Sequence, residues 1–316
     1  MKKQIQQKDL YQQITDQIVE ALEQGTVPWQ RPWNNNLPQM AIPCNGESGR
    51  LYSGINVLLL WMSAIRKGFT QRKWVTFQGA NHLGGQVRPG EKSTVIIFYK
   101  QSMFEEKDDE GNIVFDENGE PKIKSSVFIR GHHVFNIEQC EGLERYYEEF
   151  PEPELSEDML PRPDLDVLPA KMGIPLYNKV ENRACYIPGR DCIVMPDFTK
   201  FNTADDYYAT LLHECGHATG HQDRLNREGI TNFSKFGSER YAFEELIAEL
   251  TSAFTCAHVN IHNNISQNAA YIESWIKALK ADKKAIFRAS SQAREATQFL
   301  LNTLESALPE KEKLAA

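Results

Sequence analysis

The 316-residue sequence has no apolar run long enough to cross a membrane. Its longest, Val57-Leu-Leu-Leu-Trp-Met62, falls far short of the roughly 20 residues a spanning helix needs. The start, Met1-Lys-Lys-Gln-Ile-Gln-Gln-Lys8, is polar and lacks the apolar segment of a secretory leader. The six cysteines (44, 140, 185, 192, 215, 256) include no CxxC pair, so a zinc ribbon is unsupported and free thiols in a reducing compartment are the simplest reading. Neither acidic cluster, Glu105–Asn112 or Asp116–Glu120, has the spacing of a calcium loop. These absences predict a cytoplasmic protein with no membrane partner.

The chain is long enough for two domains, each able to bury a core. Its formal charge of -8 is unevenly spread. Residues 1–100 carry 12 Lys and Arg against 6 Asp and Glu, whereas residues 101–170 carry 6 against 19. The acidic middle reads as a hairpin insertion at about 101–124, followed by a Pro-rich connection over 151–168. The expected division is therefore 1–150, a linker at 151–168, and 169–316.

The strongest chemical signal is His213-Glu-Cys-Gly-His217. Only roughly 0.02 such matches are expected by chance in this composition. On a helix the two imidazoles lie about 40° apart and can share one metal ion, with Glu214 beside them as a base. Tyr207, Tyr208, Leu211, Leu212, Cys215 and Ala218 fall on the far side, so the histidines oppose the core stripe. Thr203 with Asp206 reads as the helix start, and Gly220 as its end.

A catalytic zinc takes three protein ligands and keeps one position open. Asp223, just past the glycine, is one candidate for the third. The other source is a helix over 238–254 with Ser238 as N-cap, whose apolar stripe is Phe243, Leu246, Ile247, Leu250 and Phe254. Glu245 and Glu249 stand one turn apart on its opposite face, among the small residues Ala242, Ser252, Ala253 and Cys256; Glu244 sits on the flank. Glu245 is the expected ligand and Glu249 the acceptor for a ligand histidine N–H, with Asp223 or Glu249 as replacements for Glu245. One Zn²⁺ per chain and Glu214 as general base imply peptide hydrolysis, with Tyr241 and His221 near enough in sequence to assist.

The first hundred residues interleave Trp29, Trp33, Trp61 and Trp74 with Arg31, Arg50, Arg66, Arg72, Lys73, Arg88 and Lys92. Aromatic faces for bases among cations for phosphates suit single-stranded nucleic acid. Trp61 reads as core, while Trp29 and Trp33 flank Arg31 in a Pro-rich loop. Helices are expected at about 9–24 and 55–67, with extended segments at 74–77, 94–99, 126–129 and 134–136, an α+β pattern.

Two sets of motifs in this order resemble the ArdC antirestriction family of conjugative plasmids and other mobile elements. The first comprises Pro28-Trp-Gln-Arg-Pro-Trp33, Gly49-Arg-Leu-Tyr-Ser-Gly-Ile-Asn56, Trp74-Val-Thr-Phe77 and Gly84-Gly-Gln-Val-Arg-Pro-Gly-Glu-Lys92. The second comprises His213–His221, Arg224-Leu-Asn-Arg227, Tyr241–Glu249 and Ala270–Ile276. The resemblance implies an α+β fold of two domains: an N-terminal α+β domain binding single-stranded DNA, and a mostly helical zincin-like metallopeptidase domain with a small sheet. It favours the downstream glutamates as ligands and implies protection of incoming DNA from restriction. The expected DNA-contacting residues are Trp29, Arg31, Trp33, Arg50, Tyr52, Asn56, Arg72, Lys73, Trp74, Arg88 and Lys92. An unknown host protein would be the peptidase substrate. Two alternatives stand beside this: a DNA-masking protein with a structural zinc, and a regulatory peptidase that cleaves a repressor-type host protein.

Overall fold

In a computed structural model, residues 9–30, 41–108, 110–116, 119–149, 159–179, 183–232, 239–262 and 269–306 are described. The N-terminal half runs α1 (Leu10–Glu23), β1 (Cys44–Asn45), α2 (Ile55–Lys67), β2 (Lys73–Val75), α3 (Phe77–His82), β3 (Gln86–Val87), β4 (Thr94–Glu105), β5 (Ile123–Asn136) and β6 (Cys140–Glu141). The C-terminal half runs α4 (Pro163–Asp166), α5 (Leu168–Lys171), β7 (Leu176–Lys179), β8 (Cys185–Ile187), β9 (Cys192–Pro196), α6 (Ala204–Ala218), α7 (Glu228–Thr231), α8 (Glu239–Val259), α9 (Ala269–Ala281) and α10 (Ala285–Glu305).

Local chemistry accounts for the boundaries. Asp9 caps α1 by accepting from the backbone N–H of Tyr11 and Gln12, and Ile14, Ile18, Val19 and Leu22 form the stripe that α1 buries. Gly68 ends α2 in the left-handed conformation, at φ 73°. β4 and β5 pair antiparallel from Thr94↔Val134 to Glu105↔Ile123, so the acidic segment extends an existing hairpin. The larger sheet has the order β1-β2-β5-β4; in the C-terminal half β9 lies between β7, parallel to it, and β8, antiparallel to it.

Two features depart from the sequence reading. The connection expected over 151–168 falls partly outside the described residues, but from Pro163 it is helical and buries Leu165 and Leu168. The halves also share one core. Ile14, Ile18, Trp29, Leu58 and Trp61 pack in the same cluster as Leu246, Phe254, Trp275 and Ile286. Removing each half's apolar helix faces from water against the other couples their stability. No helix among the described residues is long and apolar enough to cross a membrane.

α6 and α8 approach closely because of small residues. A Cβ at Gly216 would stand 3.3 Å from Thr251 Cβ and 3.4 Å from Ala248 Cα, and the Ser252 hydroxyl donates to the Ala209 carbonyl at 2.9 Å. Ser252 and Cys256 serve this contact as their size suggested, whereas Ala242 and Ala253 face the shared core.

Candidate metal centre

Thr203 caps α6, its hydroxyl accepting from Asp206 N–H at 3.1 Å, and the helix carries His213 and His217 on the face turned towards α8, with Glu214 beside them facing β8. The partner of the two histidines on α8 is Glu245. Its Oε2 lies 3.5 Å from His213 Nε2 and its Oε1 lies 3.6 Å from His217 Nε2. One donor atom from each of the three residues falls within 4.8 Å of the others, the only such grouping found among the described residues. Ser238, the expected N-cap of α8, lies outside those residues.

The opposite ring nitrogens are backed by carboxylates. His213 Nδ1 faces Glu249 Oε1 and His217 Nδ1 faces Glu244 Oε1, both at 3.5 Å. Neither contact closes into a directional hydrogen bond, which leaves each Nδ1 buried without one. The two Nε2 atoms thus converge while both Nδ1 atoms point at anions, the polarity a cation between the rings would require. Two imidazoles and a carboxylate fit a divalent cation of borderline softness.

Glu249, expected to accept from a ligand histidine N–H, stands 3.5 Å from His213 Nδ1 without forming that hydrogen bond. Glu244 does not lie on the flank. It is buried, and the Arg227 guanidinium bonds it at 2.6 Å while donating to the Gly216 carbonyl at 2.7 Å and to the Thr219 hydroxyl at 2.6 Å. Arg227 thereby ties the carboxylate behind His217 to the end of α6. Gly220 does not close α6 through a left-handed turn; it is small because a Cβ would meet Ile230 Cγ1 at 2.6 Å and Arg227 Nη2 at 2.9 Å. Asp223, the runner-up ligand, is exposed and lies beside His221, outside the convergent group.

The electrostatics follow from burial among opposite charges. Desolvation depresses the His217 pKa, but Glu244 and Glu245 outweigh it and raise it to about 10. His213 is raised against the same desolvation, with Glu245 and Glu249 as the causes. Burial raises the Glu245 carboxyl, yet the two histidines pull it well below the usual range. Glu214 is buried, and its Oε2 accepts from the Tyr186 backbone N–H on β8 at 2.6 Å. This bond aims the carboxylate. The Tyr241 hydroxyl lies 3.2 Å from that of Tyr271, and desolvation with the Glu245 charge pushes its pKa up.

The expected DNA-contacting residues separate into three groups. Trp29 and Trp74 are 1% exposed, so they are core residues and not stacking platforms: Trp29 meets the Trp275 ring edge-on at 5.6 Å, and Trp74 meets Phe69 at 5.9 Å. Asn56 is equally structural, its carboxamide clamping both the N–H and the carbonyl of Ile97. Arg72 and Lys73 pair with Glu148, at 2.7 and 3.1 Å, and Arg88 holds Glu91 and the Glu138 carbonyl. Lys92 and Arg50 are exposed and Tyr52 is half-buried, while Arg31 and Trp33 lie outside the described residues.

Comparison with known proteins covers both halves. The family described as the N-terminal domain of anti-restriction factor ArdC matches residues 8–135, and the zincin-like metallopeptidase family matches residues 163–292. A DNA primase TraC of Escherichia coli is 38% identical over 93% of this chain, which spans 27% of that protein's length. The uncharacterized protein y4eC of Sinorhizobium fredii is 34% identical, covering 92% of this chain and 91% of its own. Crystal structures of the antirestriction ArdC protein from the R388 plasmid superpose with TM-scores of 0.76 metal-free and 0.72 Mn(II)-bound. They are 37% and 36% identical to this chain, covering 94% of it and 98% of theirs.

Proposed function

Since the chain belongs to the ArdC family of antirestriction proteins and carries a zincin-like metallopeptidase domain, we propose that it binds single-stranded DNA and hydrolyses peptide bonds at a zinc site. In this reading it protects incoming DNA of a mobile element from restriction in the recipient cytoplasm, with a host protein as the peptidase substrate. The observation that carries the reading is the convergence of His213, His217 and Glu245 beside a buried Glu214.

His213, His217 and Glu245 would hold the ion, with Glu249 and Glu244 behind the imidazoles. When bound, zinc supplies Lewis acidity to a carbonyl oxygen and lowers the pKa of water towards about 7. Glu214 does the proton work. Its carboxylate, oriented by the Tyr186 N–H, takes the proton of the attacking water and returns it to the departing amine nitrogen. Glu249 and the Glu244 carboxylate held by Arg227 place negative charge behind the two imidazoles.

The test is Glu214→Gln, which keeps an oxygen for the Tyr186 N–H but cannot accept the proton. Transfer of an unmodified plasmid into a restricting recipient is the readout, with bound metal measured in parallel. Loss of protection with metal retained supports the peptidase. Undiminished protection overturns it and leaves DNA masking, with the ion as a structural element.

A further inference from the structure

We propose that a cavity between the two halves of the chain holds one unpaired nucleotide of single-stranded DNA, with Arg50 and Arg294 on its phosphates and aromatic side chains on its base. This rests on the DNA-binding reading and locates where that binding occurs. The cavity has a volume of about 530 Å³, within the range of small-molecule sites. The loop leading into α2, the β4 segment Ile97–Tyr99 and the α10 stretch Phe287–Arg294 form its walls.

Charge identifies the occupant. In a chain of formal charge -8, the only charged residues lining this cavity among the described residues are two arginines, with no Asp or Glu beside them. Arg50 is exposed and its guanidinium has no hydrogen-bond or ion-pair partner among the described residues. Arg294 has only a 3.5 Å contact with its neighbour Glu295, both more than half exposed, which solvent screens. Arg72, Lys73 and Arg88 are instead committed to carboxylates of their own half. Two uncommitted guanidinium forks in a cavity whose described lining holds no acid select an anion, and their planar geometry suits phosphate oxygens.

The aromatic content narrows the anion to a nucleotide. Tyr52, Phe98 and Tyr99 are among the lining residues; Tyr99 is 54% exposed, whereas the Phe98 ring, on the other face of β4, meets His132 edge-on at 4.6 Å. Tyr99 on β4 and Arg294 on α10 line the same cavity from opposite halves of the chain. Half-exposed rings beside arginines are how single strands are bound without sequence preference, by base stacking and phosphate pairing. The cavity also joins the metallopeptidase half to the DNA, because Arg294 and Ser291 come from α10. The strand is gripped at the junction and not by the N-terminal half alone.

Fluorescence anisotropy with a labelled oligothymidylate and the full chain, measured over a series of salt concentrations, tests this. Arg50→Ala and Arg294→Ala should each weaken binding about tenfold and reduce the salt slope by roughly one. Tyr99→Ala should weaken binding about tenfold with the slope unchanged. Arg288→Ala, on the same helix but outside the cavity, should bind as the parent does. All four positions are exposed, so unchanged thermal melting is expected of each variant. If the parent binds and the Arg294 and Tyr99 variants bind equally well, the cavity assignment falls while DNA binding stands. Equal competition by a duplex overturns the unpaired base. A parent that does not bind the oligonucleotide overturns the DNA reading, and the cavity with it.

Discussion

Arg227 and Glu244 form a buried ion pair with Nη2 and Oε1 2.6 Å apart, and the same carboxylate oxygen lies 3.5 Å from His217 Nδ1. Arg227→Met strands that carboxylate in a low-dielectric site. The variant should lose about 3–5 kcal/mol of stability when metal-free. Its divalent-cation affinity should fall by about tenfold or more. Thermal unfolding in chelator and a zinc titration measure the two effects. Arg227→Lys should recover only part of either, because the single nitrogen of an ammonium cannot span the separate positions from which Nε, Nη1 and Nη2 reach Glu244, the Thr219 hydroxyl and the Gly216 carbonyl.

Two of the acids proposed from sequence as the third ligand, Glu245 and Asp223, should behave differently. Glu245→Ala removes the carboxylate between the two Nε2 atoms and should abolish stoichiometric zinc binding at micromolar protein. Asp223→Ala, at an exposed position, should bind one ion per chain as the parent does. Metal analysis after dialysis decides between them; retention by the first and loss by the second would reverse the assignment.

Trp29→Ala should cost about 3–5 kcal/mol, the range for emptying a large aromatic from a packed core. The loss should appear in both halves together, because Trp29 packs on Trp275 within one cluster. Calorimetry is expected to show a single displaced transition. Two transitions, with only the first displaced, would show that the halves unfold independently.

Metal binding should depend on pH with a definite sign. In the metal-free protein His217 is raised to about 10, so at neutrality it carries a proton that a cation must displace. Affinity should therefore rise with pH from neutrality up to about 10. Binding near neutrality should release protons, visible as a dependence of calorimetric heat on buffer ionisation enthalpy. The same raised pKa stabilises the metal-free fold below the unfolded value near 6.5, a contribution lost as pH rises through about 10.

Much of this centre was readable along the chain because it is periodic. The four-residue spacing of His213 and His217, the cap at Thr203 and the one-turn spacing of Glu245 and Glu249 are properties of a single helix each. The bounds of α2 agree with the expected 55–67 for the same reason: a continuous apolar stretch followed by Gly68. Glu244 escaped that logic. Its neighbour in the core is Arg227, seventeen positions away on another segment, and no helical wheel carries such a contact.

The tryptophans mark the limit from the other side. Trp29 and Trp74 have the composition of a nucleic-acid surface and the burial of a core, because which face of a loop or strand is covered depends on what packs over it. The sequence by itself determined the family and the helices that carry His213, His217 and Glu245, since these follow from residue type and local spacing. Tertiary structure alone decided that Glu245 meets both histidines and that Glu244 and Arg227 stand behind His217. It also decided that the halves share one core and leave two arginines uncommitted between them. Each depends on how helices cross and which segments meet, and those choices are set by packing between residues far apart in the chain.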